Sequence, residues 1–257
     1  MNSPRRNTVR EARFPFGLSR SKPREALRSF DKLGTGQAQG ERSGRHAAAW
    51  LAALMLTACG NNPPAPDWQM NAKGAMERAQ EAYLVGNTRV EAAEFARARN
   101  EVASTGRADL VARVELARCA TRVASLVFED CTGFTVLARD AAASERAYAD
   151  YLAGKAEAKD VALLPEQHRH MVAAGTQAPD LKAIPDPLAR LVAAGVLLQT
   201  RRADPAMIAF AIDTASAQGW RRPLLAWLGV QAQRAETAGD ATEAARIRRR
   251  IALAATP

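Results

Sequence analysis

Apolar residues recur at steps of three and four along most of the chain beyond residue 66, which is the period of an amphipathic helix. No run alternates convincingly with a period of two, and aromatic residues make up only 5% of the chain, so strands are not expected. We therefore predict an all-α fold. The predicted helices are Trp68–Val85, Thr88–Ser104, Arg107–Leu126, Phe134–Ala153, Pro165–Ala174, Pro187–Gln199, Asp204–Gln218, Pro223–Ala238 and Thr242–Ala255.

Capping residues mark several of the predicted helix ends. Thr88 followed by Glu91 has the spacing of a capping box, and an Asp-Pro pair at 186–187 and at 204–205 suits an N-cap followed by the first helical residue. Four prolines interrupt the stretch 155–187. We therefore expect a boundary between two helical sub-domains there.

The expected regions are an N-terminal helical region (67–154), an irregular linker with a short helix (155–186) and C-terminal helical hairpins (187–257). The sequence Gly239-Asp-Ala-Thr-Glu-Ala, with Ile251 further on, resembles the second helix of a tetratricopeptide repeat. Arg248 occupies a position that is usually aromatic in that family, and no period of about 34 residues recurs. The resemblance implies a short α-solenoid, and a plain helical bundle is the alternative.

The segment before the first predicted helix has a different character. Arg42 and Arg45 precede an uncharged run at 47–57, which is long enough for the apolar part of a signal peptide and too short to span a bilayer. The run ends in Leu56-Thr57-Ala58-Cys59, which resembles a bacterial lipobox. That resemblance implies a signal peptide at 41–58 and a lipid, such as palmitate, on Cys59.

An alanine-rich helix in a soluble protein is the competing interpretation of this run. Gly60-Asn-Asn-Pro-Pro-Ala-Pro66 follows at once, and this sequence does not continue a helix. Residues 59–66 are therefore predicted to form a lipidated tether. Gly60, standing where an aspartate would retain a lipoprotein in the inner membrane, implies an outer-membrane protein that faces the periplasm.

Residues 1–40 offer no sustained period that would fold. The segments 16–23 and 29–43 resemble translated short repeated intergenic elements, which suggests a true start near Leu33. A basic cytoplasmic arm is the alternative. The residues before Cys59 carry +7 of the net charge of +9, so the remaining chain carries only +2 and nucleic acid is not an expected partner.

Two cysteines follow Cys59, at positions 119 and 131. Export would place Cys119 and Cys131 in an oxidising compartment, and a helix–turn–helix brings such a pair within disulfide distance. A disulfide between them would close a short loop and stabilise the fold by about 3 kcal/mol in the chain-entropy model. Two buried free thiols are the alternative.

Catalytic and metal-binding motifs are not apparent in the sequence. His168 and His170 are two residues apart, so on a helix they point away from each other, and Glu166 is the one acidic residue close to them in sequence. We expect both to be solvated helix residues rather than metal ligands, and we expect no cofactor. The acidic residues are scattered at positions typical of solvated faces.

The segment 219–229 is the candidate interaction surface, because Trp220, Arg221, Arg222 and Trp227 combine the residue types that concentrate binding energy at interfaces. The two arginines precede a helix N-terminus, where the helix dipole does not favour positive charge. This conflict indicates either a partner or an acidic group within the fold. The alternative is that Trp220 staples the hairpin and Trp227 fills the core.

The sequence therefore predicts a lipid-anchored, periplasm-facing interaction or assembly protein of the bacterial cell envelope, with no catalysis evident. The alternative is an envelope enzyme, or a regulator of a cell-wall hydrolase, whose site forms only in three dimensions. A deep polar cleft with converging carboxylates would favour this alternative.

Overall fold

The computed structural model describes residues 65–174 and 180–256. The described elements are α1 (Asp67–Val85), α2 (Thr88–Ala103), α3 (Ala108–Ala124), α4 (Thr132–Thr135), α5 (Ala143–Leu152), α6 (Glu166–Ala173), α7 (Pro187–Gln199), α8 (Pro205–Gln218), α9 (Arg221–Thr237) and α10 (Ala241–Ala255), with 3₁₀ turns at Ala158–Leu163 and Leu181–Ala183. No strand occurs in this part of the chain, which confirms the all-α prediction. None of these helices has the length and apolar character needed to cross a membrane. The signal peptide and nearly all of the tether lie outside the described residues.

The aspartate–proline pairs begin their helices as the sequence predicts. Asp186 accepts a hydrogen bond from the Ala189 amide at 2.7 Å, and Asp204 accepts one from the Met207 amide at 2.7 Å. In each case the proline occupies the first turn, where its missing amide hydrogen costs nothing. The predicted bounds of α7 are therefore those observed.

The predicted cap of α2 is wrong by one residue. Asn87 is the N-cap, because its side chain accepts from the Val90 amide at 3.2 Å. Thr88 is already helical, and the Glu91 carboxylate turns inward to Arg118. A buried ion pair therefore replaces the expected capping box.

The single helix predicted over 134–153 is also wrong. The chain forms α4, then a turn, and then α5. Leu137 and Ala141 pack towards the core from this turn, whereas Val136 is 77% exposed. The break lets α5 direct Glu145 at Arg113 and Tyr151 at His168, so tertiary packing overrides the local helical pattern.

The main hydrophobic core runs across the region where we expected a sub-domain boundary. Leu164, Met171, Leu181 and Ile184 are all buried, and they belong to the same cluster as residues of α3, α7 and α9. The described residues from Asp67 onward form one compact unit. The prolines of 155–187 thus shorten the local helices without separating two cores.

A smaller core cluster lies in the N-terminal hairpin. It joins α1, α2 and the first half of α3; its members are Ala72, Ala75, Met76, Ala79, Phe95, Ala98, Val102, Leu110, Val111 and Val114. Helix α3 contacts α1, α2, α5 and α7, and α9 contacts α1, α8 and α10. Helices α3 and α9 therefore connect the N-terminal hairpin to the rest of the molecule.

Candidate functional site

The segment that begins α9 packs against the end of α1. Trp220 is only 7% exposed, and its indole N–H donates to Glu81 Oε2 at 3.1 Å. The two residues are 139 positions apart in sequence. Trp220 therefore connects the start of α9 to α1. The sequence suggested a contact within the hairpin of Trp220 itself, so the observed contact spans a greater distance along the chain.

Arg221 and Arg222 lie at the start of α9, where the helix dipole does not favour positive charge, but a second helix end compensates for this. Arg222 stacks its guanidinium 4.2 Å from the Tyr83 ring centroid and donates to Thr88 Oγ1 at 3.0 Å. Arg221 lies beside Gly86, close enough that a Cβ there would be 3.1 Å from its guanidinium. Both cations thus lie at the C-terminal end of α1, whose dipole favours positive charge. Gly86 has a φ of +95°, so glycine suits both the turn and the close approach.

Trp227 belongs to the core and not to a surface. It has no exposed area, and its indole N–H donates to the Ala124 carbonyl, at the end of α3, at 3.2 Å. Burial removes both tryptophan rings from the candidate surface, and Trp227 fills the core as the alternative interpretation has it. Arg221 and Arg222 stay partly accessible.

Cys119 and Cys131 lie at disulfide distance, with their Cα atoms 5.9 Å apart and their sulfur atoms 2.20 Å apart. The turn that follows α3 brings Cys131 back to that helix, as the sequence predicts. Next to this pair, Gly133 meets the Glu115 carboxylate so closely that a Cβ would lie 2.1 Å from Oε2. Glu115 also accepts from Arg99 Nε at 2.8 Å. The cysteine pair and the glycine together hold the start of α4 against α3.

His168 corrects the expectation of two solvated histidines. Its side chain is 1% exposed, and Nδ1 lies 3.2 Å from the Tyr151 hydroxyl. Burial, together with the charge of His170, lowers the pKa of His168 to about 3. Burial likewise raises the pKa of Tyr151. The pair is therefore a neutral, hydrogen-bonded part of the core near neutral pH.

Buried carboxylates are the feature that sequence reasoning missed. Glu91, Glu115 and Glu145 are all buried, and each forms an ion pair with an arginine of another helix: Arg118, Arg99 and Arg113 respectively. The signal was present for Glu91, which shares the helix face of Phe95, Ala98 and Val102. An acidic residue in an apolar stripe indicates a buried pair rather than a solvated face.

A shallow, open groove of about 350 Å³ lies between α1 and α2 in the described part of the chain. It is lined by Met70, Asn71, Gly74, Arg78, Arg97 and Glu101. Both arginines reach Glu94, at 2.9 Å for Arg78 and 3.8 Å for Arg97. The groove does not have the enclosed apolar walls typical of small-molecule pockets, and it does not bring carboxylates together.

In the described residues no group of three or more His, Cys, Asp or Glu side chains is placed to hold a metal ion. The buried ion pairs of Glu91, Glu115 and Glu145 join helices to one another. No known protein family, curated protein or solved structure matches the chain.

Proposed function

We propose that this protein is a lipid-anchored helical interaction or assembly protein of the bacterial cell envelope, held at the membrane by Cys59 and facing the periplasm. The observation that carries the proposal is the order of features before the helical body. A basic start, an uncharged run, Leu56-Thr57-Ala58-Cys59 and a proline-containing tether follow one another within 25 residues. Outer-membrane placement rests on Gly60 directly after the cysteine.

Two structural features support this proposal. The helical body begins at Asp67, directly after the tether, so a lipid on Cys59 leaves the core complete. Cys119 and Cys131 lie at disulfide distance, and a bond between them would persist in the periplasm.

Acylation of Cys59 is tested by feeding cells an alkyne fatty acid and comparing the protein with its Cys59→Ser variant. We expect label in the parent protein and none in the variant, which should also leave the membrane fraction. Cys131→Ser is the matched control, because it removes a cysteine and keeps the lipobox. Label that persists in Cys59→Ser would refute the anchor.

The proposed partner contact is at Arg221 and Arg222, the accessible part of the segment that begins α9. Cross-linking and affinity capture from envelopes should recover a partner with the parent protein and lose it with Arg222→Ala. Arg249→Ala is the matched control, since that residue is an exposed arginine on α10. Thermal denaturation of both variants separates lost binding from lost folding. Identical partners for all three proteins would place the interaction surface elsewhere.

A further inference from the structure

The point at which the chain enters its helical body determines which end of the molecule lies near the membrane. Eight residue steps separate Cys59 from Asp67, and a chain of this length spans at most about 29 Å even when fully extended. Helix α1 has 19 residues, so it extends about 28 Å from its first residue to its last. If Cys59 carries a lipid, the N-terminal end of α1 stays within about 29 Å of the bilayer, whereas its C-terminal end is free to lie up to about 57 Å away.

Apolar side chains are exposed at this end. Met70 lies in the first turn of α1 and is 54% exposed. Trp68 packs against the smaller core cluster and is only partly buried. Tryptophan favours the boundary between lipid headgroups and hydrocarbon, because its ring is apolar and its N–H is polar.

The charges around this turn are balanced. Asp67 lies in the turn itself, and Lys73 pairs with Glu77 at 3.9 Å. The charged residues that line the groove beside Met70 are Arg78, Arg97 and Glu101. A polybasic patch would be needed for electrostatic attachment to anionic lipids. Any contact with the bilayer at this end must therefore be mainly apolar.

We propose that the N-terminal end of α1 is a membrane-contact site that meets the bilayer end-on. Trp68 and Met70 project from different sides of the first turn, but helix side chains tilt towards the N-terminus, so both reach the headgroup region of the membrane that holds Cys59. This inference rests on the proposed lipid anchor. A short linker gives a high effective concentration, so a contact too weak for a free protein is populated once the chain is anchored. The contact orients the body with the α1–α2 turn, Arg221 and Arg222 directed away from the membrane.

The test uses the chain from Cys59 onward, coupled through the Cys59 thiol to a maleimide phospholipid. The vesicles contain phosphatidylethanolamine, phosphatidylglycerol and dibrominated phosphatidylcholine. Bromine quenches tryptophan fluorescence on contact, and Trp220 and Trp227 are buried, so Trp68 is the reporter. We expect quenching in the parent protein and its loss in Trp68→Phe. No quenching in the parent, or equal quenching in the variant, would overturn the proposal.

A second variant measures the contribution of Met70. Removing the insertion of an apolar side chain by Met70→Asp should lower the ratio of docked to free protein about tenfold or more. Leu253→Asp is the matched control, because Leu253 is 79% exposed and lies on α10. The quenching should also be nearly independent of salt. An apolar contact at this turn would be contradicted if Met70→Asp and Leu253→Asp reduced the quenching equally, or if the quenching of the parent protein depended steeply on salt.

Chemical coupling keeps this test separate from that of the anchor. Loss of fatty-acid labelling in cells would refute lipidation of Cys59 without changing the quenching. Absent quenching in the coupled protein, with cellular labelling intact, would refute the membrane contact alone.

Discussion

At the scale of single residues, the glutamates of this protein differ in how deeply folding buries their charge. Glu145 has no exposed area and pairs with Arg113, which is itself mostly buried. Ser144 Oγ lies 3.1 Å from the second carboxylate oxygen of Glu145. Glu129 pairs with Arg122 at 2.8 Å but stays 63% exposed. The same residue types therefore form one pair inside the protein and another in solvent.

Replacing Glu145 with alanine should destabilise the fold by about 3–5 kcal/mol, because it breaks a buried ion pair by removing one of its partners. Glu129→Ala is the matched control and should cost less than about 1 kcal/mol, since water screens that pair. Urea denaturation of the two variants gives both free energies of unfolding. Similar losses in both would mean that burial does not distinguish the pairs.

His168 gives the protein a calculable dependence on pH. Its pKa is about 3 in the folded protein and about 6.5 in an unfolded chain. Below pH 6.5 the unfolded state therefore binds a proton that the folded state does not, so stability falls with falling pH. The loss should reach about 2 kcal/mol between pH 7 and pH 5.

His168→Phe should remove this part of the acid destabilisation, because it keeps an aromatic ring and has no proton to bind. His170→Gln serves as the control and should retain it, since the imidazole of His168 stays in place. Free energies of unfolding at pH 7 and pH 5 provide the comparison. If His168→Phe loses as much stability as the parent between pH 7 and pH 5, groups other than His168 cause the pH dependence.

Helices pack closely where glycine permits it, and Gly195 on α7 is the sharpest case. Gly195→Ala would place a Cβ 2.4 Å from the backbone carbonyl oxygen of Val123, at the end of α3. Backbone cannot rotate away as a side chain can, so the two helices must shift apart, which should cost about 1–3 kcal/mol. Gly229→Ala on α9 meets no atom within 4 Å and should be neutral or stabilising, because alanine is the better helix former. Thermal denaturation that ranks the two variants in the opposite order would contradict this packing.

The sequence predicts elements best where local signals agree. Proline after aspartate places the start of α7 correctly, because capping depends on neighbouring residues alone. The break between α4 and α5 has no such signal, since it depends on Arg113 and His168 from other helices. The burial of the candidate surface could not be predicted for the same reason, because it also depends on other helices. The residue types of Trp220 and Trp227 suggest binding, and only the packing of α9 on α1 and α3 shows that both rings are buried.

At the scale of the whole molecule, the N-terminal hairpin of α1 and α2 has a small core of its own, which it shares with the first half of α3. The hairpin joins the main core at the C-terminal end of α1, where Tyr83 and Leu84 belong to the main cluster and Trp220 donates to Glu81. A region with its own core is expected to open separately from the main core when such contacts are lost. Trp220 is therefore a contact that opposes this opening.

Trp220→Ala should therefore speed hydrogen exchange in α1 and α2 by about tenfold or more, because removing a buried tryptophan costs several times the roughly 1.4 kcal/mol of one decade. Amides of α7, which lie in the main core, should change much less. Leu253→Ala is the control, since that side chain is 79% exposed. A uniform increase across all helices would show instead that the protein opens as one cooperative unit. Selective opening would mean that the hairpin next to the proposed membrane contact can loosen while the main core stays folded.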